Sequence, residues 1–208
     1  MKKVVPIFPL NLVMFPDAIY PLHIFEERYK RMINKSIKNN SYFGIVSKID
    51  LDISRIGCLV KVASILKKHE NRSMDILVKG YSRFIAESTS FHDDGYLEAE
   101  VSLFGDTEYM FEDNLLFRET LEIFKSIIDR TSLQLGEGFW NKLENATDKS
   151  FKLAEKSGLN LKQQQDILSL QSEKERMKYL HKHLEKLENT LERAEILKEL
   201  ISTDGYIN

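Results

Sequence analysis

A single cysteine among 208 residues excludes an intramolecular disulfide and points to a reducing compartment. Long apolar runs are equally scarce, and no stretch reaches the roughly 20 residues that span a bilayer. Lys2-Lys3 followed by apolar residues imitates a secretory signal, but Pro6, Pro9 and Asn11 interrupt that run and no small-residue cleavage site follows. A cytoplasmic home is therefore expected. Neither sign of charge is in large excess: 15 Lys+Arg face 12 Asp+Glu through residue 105, and 15 face 20 beyond it, for a net charge of −2. That is not the balance of a dedicated nucleic-acid binder. A phosphate-cradling loop is missing too, because Gly136-Glu-Gly-Phe-Trp lacks the lysine and the length of such a loop. What the chain does have is 42% hydrophobic residues, enough to bury a core in one domain or two small ones.

Proline is rare and concentrated. All four, Pro6, Pro9, Pro16 and Pro21, lie in the stretch from Pro6 to Tyr29. Because proline fixes φ and removes a backbone donor, they are expected at strand ends, edges and turns, and short strands should break near Leu10 to Asn11 and Pro16 to Asp17. After Pro21 the spacing of Phe25, Tyr29, Met32, Ile33 and Ile37 predicts an amphipathic helix. Tyr42 to Ser47 reads as a buried strand in which Gly44 marks a bulge or a close backbone approach. The loop around Asp50 to Arg55 is polar. Cys58 to Lys67 and Met74 to Lys79 predict a hairpin turning over His69 to Ser73, and Tyr96 to Leu103 alternates as a strand with Leu97, Ala99, Val101 and Leu103 inward. Six or seven short strands are enough to curl into a small barrel.

Beyond Gly105 the period changes to that of helices. Thr107 to Asp129 carries Phe111, Leu115, Leu121, Ile127 and Ile128, with Asp106 or Thr107 as cap. Shorter helices follow around Trp140, over Lys149 to Lys156 with Gly158 beyond, and over Leu161 to Leu170. Ser172 to Glu175 is a capping box for the last one. The predicted fold class is α+β, with a β-rich subdomain over 1–105 and a helical subdomain over 106–208. In the final helix Met177, Leu180, Leu184, Leu187, Leu191 and Ala194 form a seam at three- and four-residue spacing. It is short for a coiled coil, so packing in its own bundle competes with self-association or a protein partner.

Two motifs carry a resemblance. The order Pro-Ile-Phe-Pro-Leu, Val-Met-Phe-Pro, then Tyr20-Pro-Leu-His-Ile-Phe-Glu26 and a helix, followed by Gly57-Cys-Leu-Val-Lys-Val and Asp75-Ile-Leu-Val-Lys-Gly-Tyr-Ser-Arg-Phe84, resembles the substrate-binding N-terminal domain of Lon proteases, in particular its stand-alone bacterial form. The helical run from Leu161 and the Glu175-Arg-Met177 region resemble that family more loosely. The resemblance implies a pseudo-barrel of PUA-like type followed by a helical bundle. It also implies recognition of polypeptide without the ATPase and serine-lysine protease parts, hence a non-catalytic, proteolysis-related module.

Candidates for chemistry are weak. His181 and His183 are about 200° apart around a helix and cannot share a metal. His23, His69 and His92 sit in turns or at element ends without ligand spacing, so no metal and no cofactor are expected. Cys58 reads as an ordinary buried thiol, and Asp93-Asp94-Gly95 as a hairpin turn. Tyr81 and Phe84 with Arg83 could stack on single-stranded RNA, an alternative resting on fold analogy alone. The favoured reading is capture of unfolded or extended apolar segments in a groove where the barrel meets the helical part, beside loops near Phe15 and Asp50 to Arg55. Leu12, Met14, Phe15, Tyr20, Tyr81 and Phe84 are its candidate contacts.

Overall fold

In the computed structural model of the chain, residues 3–107, 114–131 and 133–204 are described. The elements in chain order are β1 (Lys3–Leu10), β2 (Ile19–Ile24), α1 (Glu27–Lys38), β3 (Phe43–Ile49), β4 (Asp52–Lys68), β5 (Met74–Phe91), β6 (Leu97–Leu103), α2 (Asn114–Arg130), α3 (Glu137–Glu144), α4 (Lys149–Ala154), α5 (Leu161–Ser169) and α6 (Glu173–Asp204). They form two compact units, Met1–Thr107 with Gly158–Gln171, and Glu108–Ser157 with Ser172–Asn208.

The first unit is a mixed sheet in the order β2-β5-β4-β3-β1-β6 that closes through a further β5–β6 pairing. Among the described residues only β1 and β3 pair in parallel. One edge of β5 serves two partners in succession, β2 along Met74 to Lys79 and β6 along Phe84 to Phe91. Between them, the turn after β1 docks on the strand: Asp17 N–H donates to the Gly80 carbonyl at 3.1 Å, and Gly80 N–H donates to Ala18 at 3.0 Å. Gly80 is what permits this approach, because a Cβ there would stand 2.2 Å from the Phe15 carbonyl oxygen. The ring is filled by Val5, Ile7, Val46, Leu59, Phe84, Ala86, Ala99 and Val101. Gly44 leaves room for the side chains of Ile7 and Phe84 instead of marking a bulge or a close approach of backbone.

Several sequence expectations change. Pro6 and Pro9 do not break β1, which is paired on both sides. The β6 pairing spans Lys3 to Ile7 and the β3 pairing Ile7 to Leu10, so each proline has one unpaired side toward which its missing N–H can point. Pro21 sits in β2, which pairs with β5 alone, as an edge proline should. Strand β2 extends through Ile24, so the helix starts at Glu27 and Phe25 is exposed instead of belonging to its buried stripe. The Asp50 to Arg55 loop shrinks to a tight turn at Asp50 and Leu51, with Asp50 at φ 54°. Strands β4 and β5 are 17 and 18 residues long, well beyond the short hairpin expected.

Helix α5 belongs to the β unit although its sequence groups it with the helices. Its capping box is Asn160 with Gln163. Gln165 accepts from Ser47 Oγ at 2.6 Å and donates to the Ile56 carbonyl at 3.1 Å, while Ile167 and Leu168 are buried. Arg83 ties down the end of this helix by donating to the carbonyls of Leu168 and Leu170 at 2.9 and 2.6 Å and pairing with Asp106. The boundary drawn at residue 105 therefore misses a return of the chain, because local periodicity carries no information about which surface a helix face covers.

The second unit packs α2, α3, α4 and α6 around Phe124, Ile127, Ile128, Leu143, Phe151, Met177, Leu180 and Leu184. Helix α2 is described from Asn114, so the expected Phe111 contact lies outside the described residues; Leu115 is exposed. The buried Arg176 is held by Glu173 at 2.9 Å, Asp148 at 3.1 Å and Ser150 Oγ at 2.9 Å, with its guanidinium over Phe151. Burial pushes the Glu173 carboxyl above its ordinary range, outweighing its hydrogen bonds from Ser150 and the Arg176 charge. Burial of the α6 seam stops near Leu191. Beyond it Ile196, Leu197, Leu200 and Ile201 are exposed. No helix among the described residues is long and apolar enough to cross a membrane.

Candidate functional site

A groove of about 610 Å³ opens at one end of the β unit. The end of β1 and the turn after it, Phe8 to Asn11, form one side. His23 to Glu26 with Arg28 and Tyr29 line the groove as well, and the rest comes from Lys48 of β3, Leu51 of the turn and Ile53 of β4, with Phe91 and Leu97. The folding reasons are local. Phe25 falls between the last residue of β2 and the first turn of α1, where neither element can bury it. Leu51 sits at the tip of a two-residue turn, and Phe91 ends β5.

The groove gathers four large apolar side chains in contact with solvent: Phe25 at 63% exposed, Leu51 at 94%, Phe91 at 74% and Ile53 at 44%. Scattered exposed apolar residues are ordinary, whereas several lining one concavity mark a binding surface. Its floor is rigid. Phe8 and Tyr29 are buried with ring centroids 4.1 Å apart, and Arg28 covers the Tyr29 ring at 4.7 Å while bonding Glu26 at 2.7 Å. Burial raises the Tyr29 hydroxyl above its ordinary range. The polar lining includes Asn11 and His23, and its charged members Glu26, Arg28 and Lys48 carry both signs. This arrangement can hold an extended apolar chain.

None of the six residues expected from the sequence lines this groove. Met14, Phe15 and Phe84 are core side chains, 1%, 0% and 0% exposed, so they offer no contact surface to a partner in this fold. Leu12 and Tyr20 are half-buried elsewhere. Tyr81 is exposed beneath Lys79 and edge-on to Tyr42 at 5.2 Å. The RNA platform loses two of its members, since Phe84 fills the barrel and Arg83 is buried in its pairing with Asp106 and α5. Of the loops expected beside the site, Asp50 to Arg55 does contribute, through Leu51 and Ile53. The signal that could have found the rest was Phe25 and Phe91, each apolar at the end of a strand.

Histidines without sequence spacing also meet in space. His23 Nδ1 lies 2.6 Å from Asp75 Oδ1, and His69 Nε2 lies 2.8 Å from Asp75 Oδ2. The Cys58 thiol is buried and pushed up to about 12 by burial, which makes it unreactive.

Comparison with known proteins completes the site's context. The model of the ATP-dependent protease La (LON) substrate-binding domain matches residues 4–186. A Lon protease of Flavobacterium johnsoniae is 26% identical over 203 residues, covering 88% of this chain and 24% of that protein. Lon protease 1 of Bdellovibrio bacteriovorus is 30% identical over 138 residues, 62% of this chain and 16% of its own length. The chain thus spans about a quarter or less of these relatives. Among solved structures, the N-terminal domain of a Mycobacterium avium complex Lon protease matches with a TM-score of 0.72 at 16% identity, covering 88% of this chain and 98% of that one. A Lon N-terminal domain protein from Xanthomonas campestris matches with a TM-score of 0.60 at 23% identity, covering 89% and 96%. At these identities the structural matches establish the fold.

Proposed function

The chain belongs to the family of Lon substrate-binding domains, and from that premise we propose that it is a non-catalytic module that captures exposed apolar or unfolded polypeptide segments in the groove beside Phe25, Leu51, Ile53 and Phe91. The observation that carries this reading is the gathering of those four exposed side chains in one groove with the buried Phe8 and Tyr29 pair. Met14, Phe15 and Phe84 give way to these, because core side chains cannot form a binding surface. Burial of apolar area at roughly 25 cal/mol per Å² supplies most of the gain on binding. The loss of rigid-body freedom and the ordering of a floppy segment consume a large part of that gain. Affinity is accordingly micromolar or weaker, about −8 kcal/mol or less in magnitude.

The test is binding of the purified chain to unstructured apolar peptides, with an RNA pool as control, at low and physiological salt. Phe25→Ser with Phe91→Ser should weaken peptide binding at least tenfold and leave the circular dichroism and melting curve unchanged, since both side chains are already in solvent. Peptide binding unaffected by this double substitution would overturn the groove. Salt-sensitive RNA binding without peptide binding would overturn the reading itself.

A second reading rests on the exposed Ile196, Leu197, Leu200 and Ile201 of α6. They lie on neighbouring positions of consecutive turns, the kind of stripe that a protein partner or a second copy covers. Sedimentation of the chain against an Ile196→Glu, Leu200→Glu variant separates the two cases: a mass that falls on substitution identifies self-association.

A further inference from the structure

We propose that His23, His69 and Asp75 form a binding site for a divalent transition-metal ion of the zinc class. The three residues come from separate parts of the chain and meet because of the sheet register. His23 of β2 is the cross-strand partner of Asp75 of β5, so their side chains emerge on one face as neighbours. His69 is delivered by the β4–β5 turn. That turn is fixed by hydrogen bonds from His69 N–H to the Ser73 carbonyl and from Arg72 N–H to the His69 carbonyl, both 2.9 Å, and by Asn71 Oδ1 accepting from Ser73 N–H and Oγ. Asp75 is the hub, with one carboxylate oxygen turned to each ring.

The three donor atoms, His23 Nδ1, His69 Nε2 and an Asp75 oxygen, all lie within 4.8 Å of one another. A tetrahedral zinc ion with bonds of 2.0–2.2 Å holds its ligands about 3.3 Å apart. The separations of 2.6 Å from His23 Nδ1 to Asp75 Oδ1 and 2.8 Å from His69 Nε2 to Oδ2 have to widen by about 0.5–0.7 Å, movements within the range of side-chain torsions. To bind the ion, each ring carries its proton on the other nitrogen and presents a lone pair where it now bonds Asp75. The Asp75 carboxylate supplies the anionic ligand.

Two imidazoles and one carboxylate suit zinc, cobalt and nickel, and they disfavour magnesium and calcium, which take oxygen ligands. All three side chains are in contact with solvent, so an ion enters without opening the fold and keeps at least one position for water. Opposing cations limit the affinity. Lys67 is the register partner of Asp75 on β4, and Arg72 belongs to the same turn as His69. Micromolar rather than nanomolar binding is therefore expected.

The experiment is titration of the untagged full chain with Co2+ followed by visible absorption, then displacement by Zn2+ and calorimetric titration with Zn2+ itself. One ion per chain should bind, with a tetrahedral cobalt spectrum. His23→Ala, His69→Gln and Asp75→Asn should each weaken binding at least tenfold while their circular dichroism stays that of the parent, and His92→Gln should leave it unchanged. No binding tighter than about 1 mM, or binding that survives His69→Gln and Asp75→Asn, would overturn the site. A thiolate-to-cobalt charge-transfer band would do the same by moving the ion to Cys58.

Discussion

Replacing Gly80 with alanine places a methyl group against backbone that has no way to turn aside. The new Cβ would stand 2.2 Å from the Phe15 carbonyl oxygen, well inside contact distance, so the turn and β5 must separate. Two hydrogen bonds fasten that turn, from Asp17 N–H to Gly80 and from Gly80 N–H to Ala18. Weakening them costs about 1 kcal/mol each, more where a buried group is left unpartnered, and forcing extra volume into packed surroundings adds about 1–3 kcal/mol. The turn also carries Met14 and Phe15 into the core. The expected loss is about 3–5 kcal/mol from a total of about 5–15. Urea unfolding followed by far-ultraviolet circular dichroism reads it as a midpoint lower by roughly 1.5–2.5 M for a slope near 2 kcal/mol/M. Gly105→Ala is the control, since its Cβ would meet nothing within 4 Å, and it should stay within about 0.5 kcal/mol of the parent. A Gly80→Ala loss under about 1 kcal/mol, or one equal to that of Gly105→Ala, would refute the close approach.

Two further outcomes follow from burial. Met14→Asp with Phe15→Asp, a substitution that would spare the fold if these side chains lined a surface, should instead unfold the β unit, because each places an unpaired carboxylate where the native side chain is 1% or 0% exposed; a cooperative native melt for this variant would contradict the core assignment. Arg176→Met should cost about 3–5 kcal/mol at neutral pH by leaving Glu173 buried without its cation. Burial already raises the Glu173 carboxyl above its ordinary 4.5, so its favourable share of stability is complete below that value and is lost as pH rises through the folded one. Removing Arg176 raises the folded value further, and the loss should shrink near pH 4.5. A loss of equal size at both pH values would show that Glu173 does not govern it.

The α+β class, the strands of the β unit and the helices after residue 105 were legible because periodicities of two and 3.6 record which face of an element is buried. The family, too, was legible, from two motifs whose prolines and glycines meet constraints of the backbone: Pro21 on an edge strand, Gly80 against the Phe15 carbonyl. The residues of the proposed groove were not. Met14, Phe15 and Phe84 read as candidates because exposed and buried apolar side chains have the same letters, and only the closure of the sheet put Phe84 inside while leaving Phe91, seven residues further along the same strand, in solvent.

Position along the chain thus determined what each segment could become, through local torsional limits and the pattern of apolar side chains. Tertiary structure alone decided what came together. It returned α5 to the β unit through Gln165 and Arg83, set His23 opposite Asp75, and brought His69 to both across the β4–β5 turn. The physical reason is the same in each case: strand register and chain return join residues distant in sequence, and spacing along a chain cannot encode a contact that depends on how two elements are aligned.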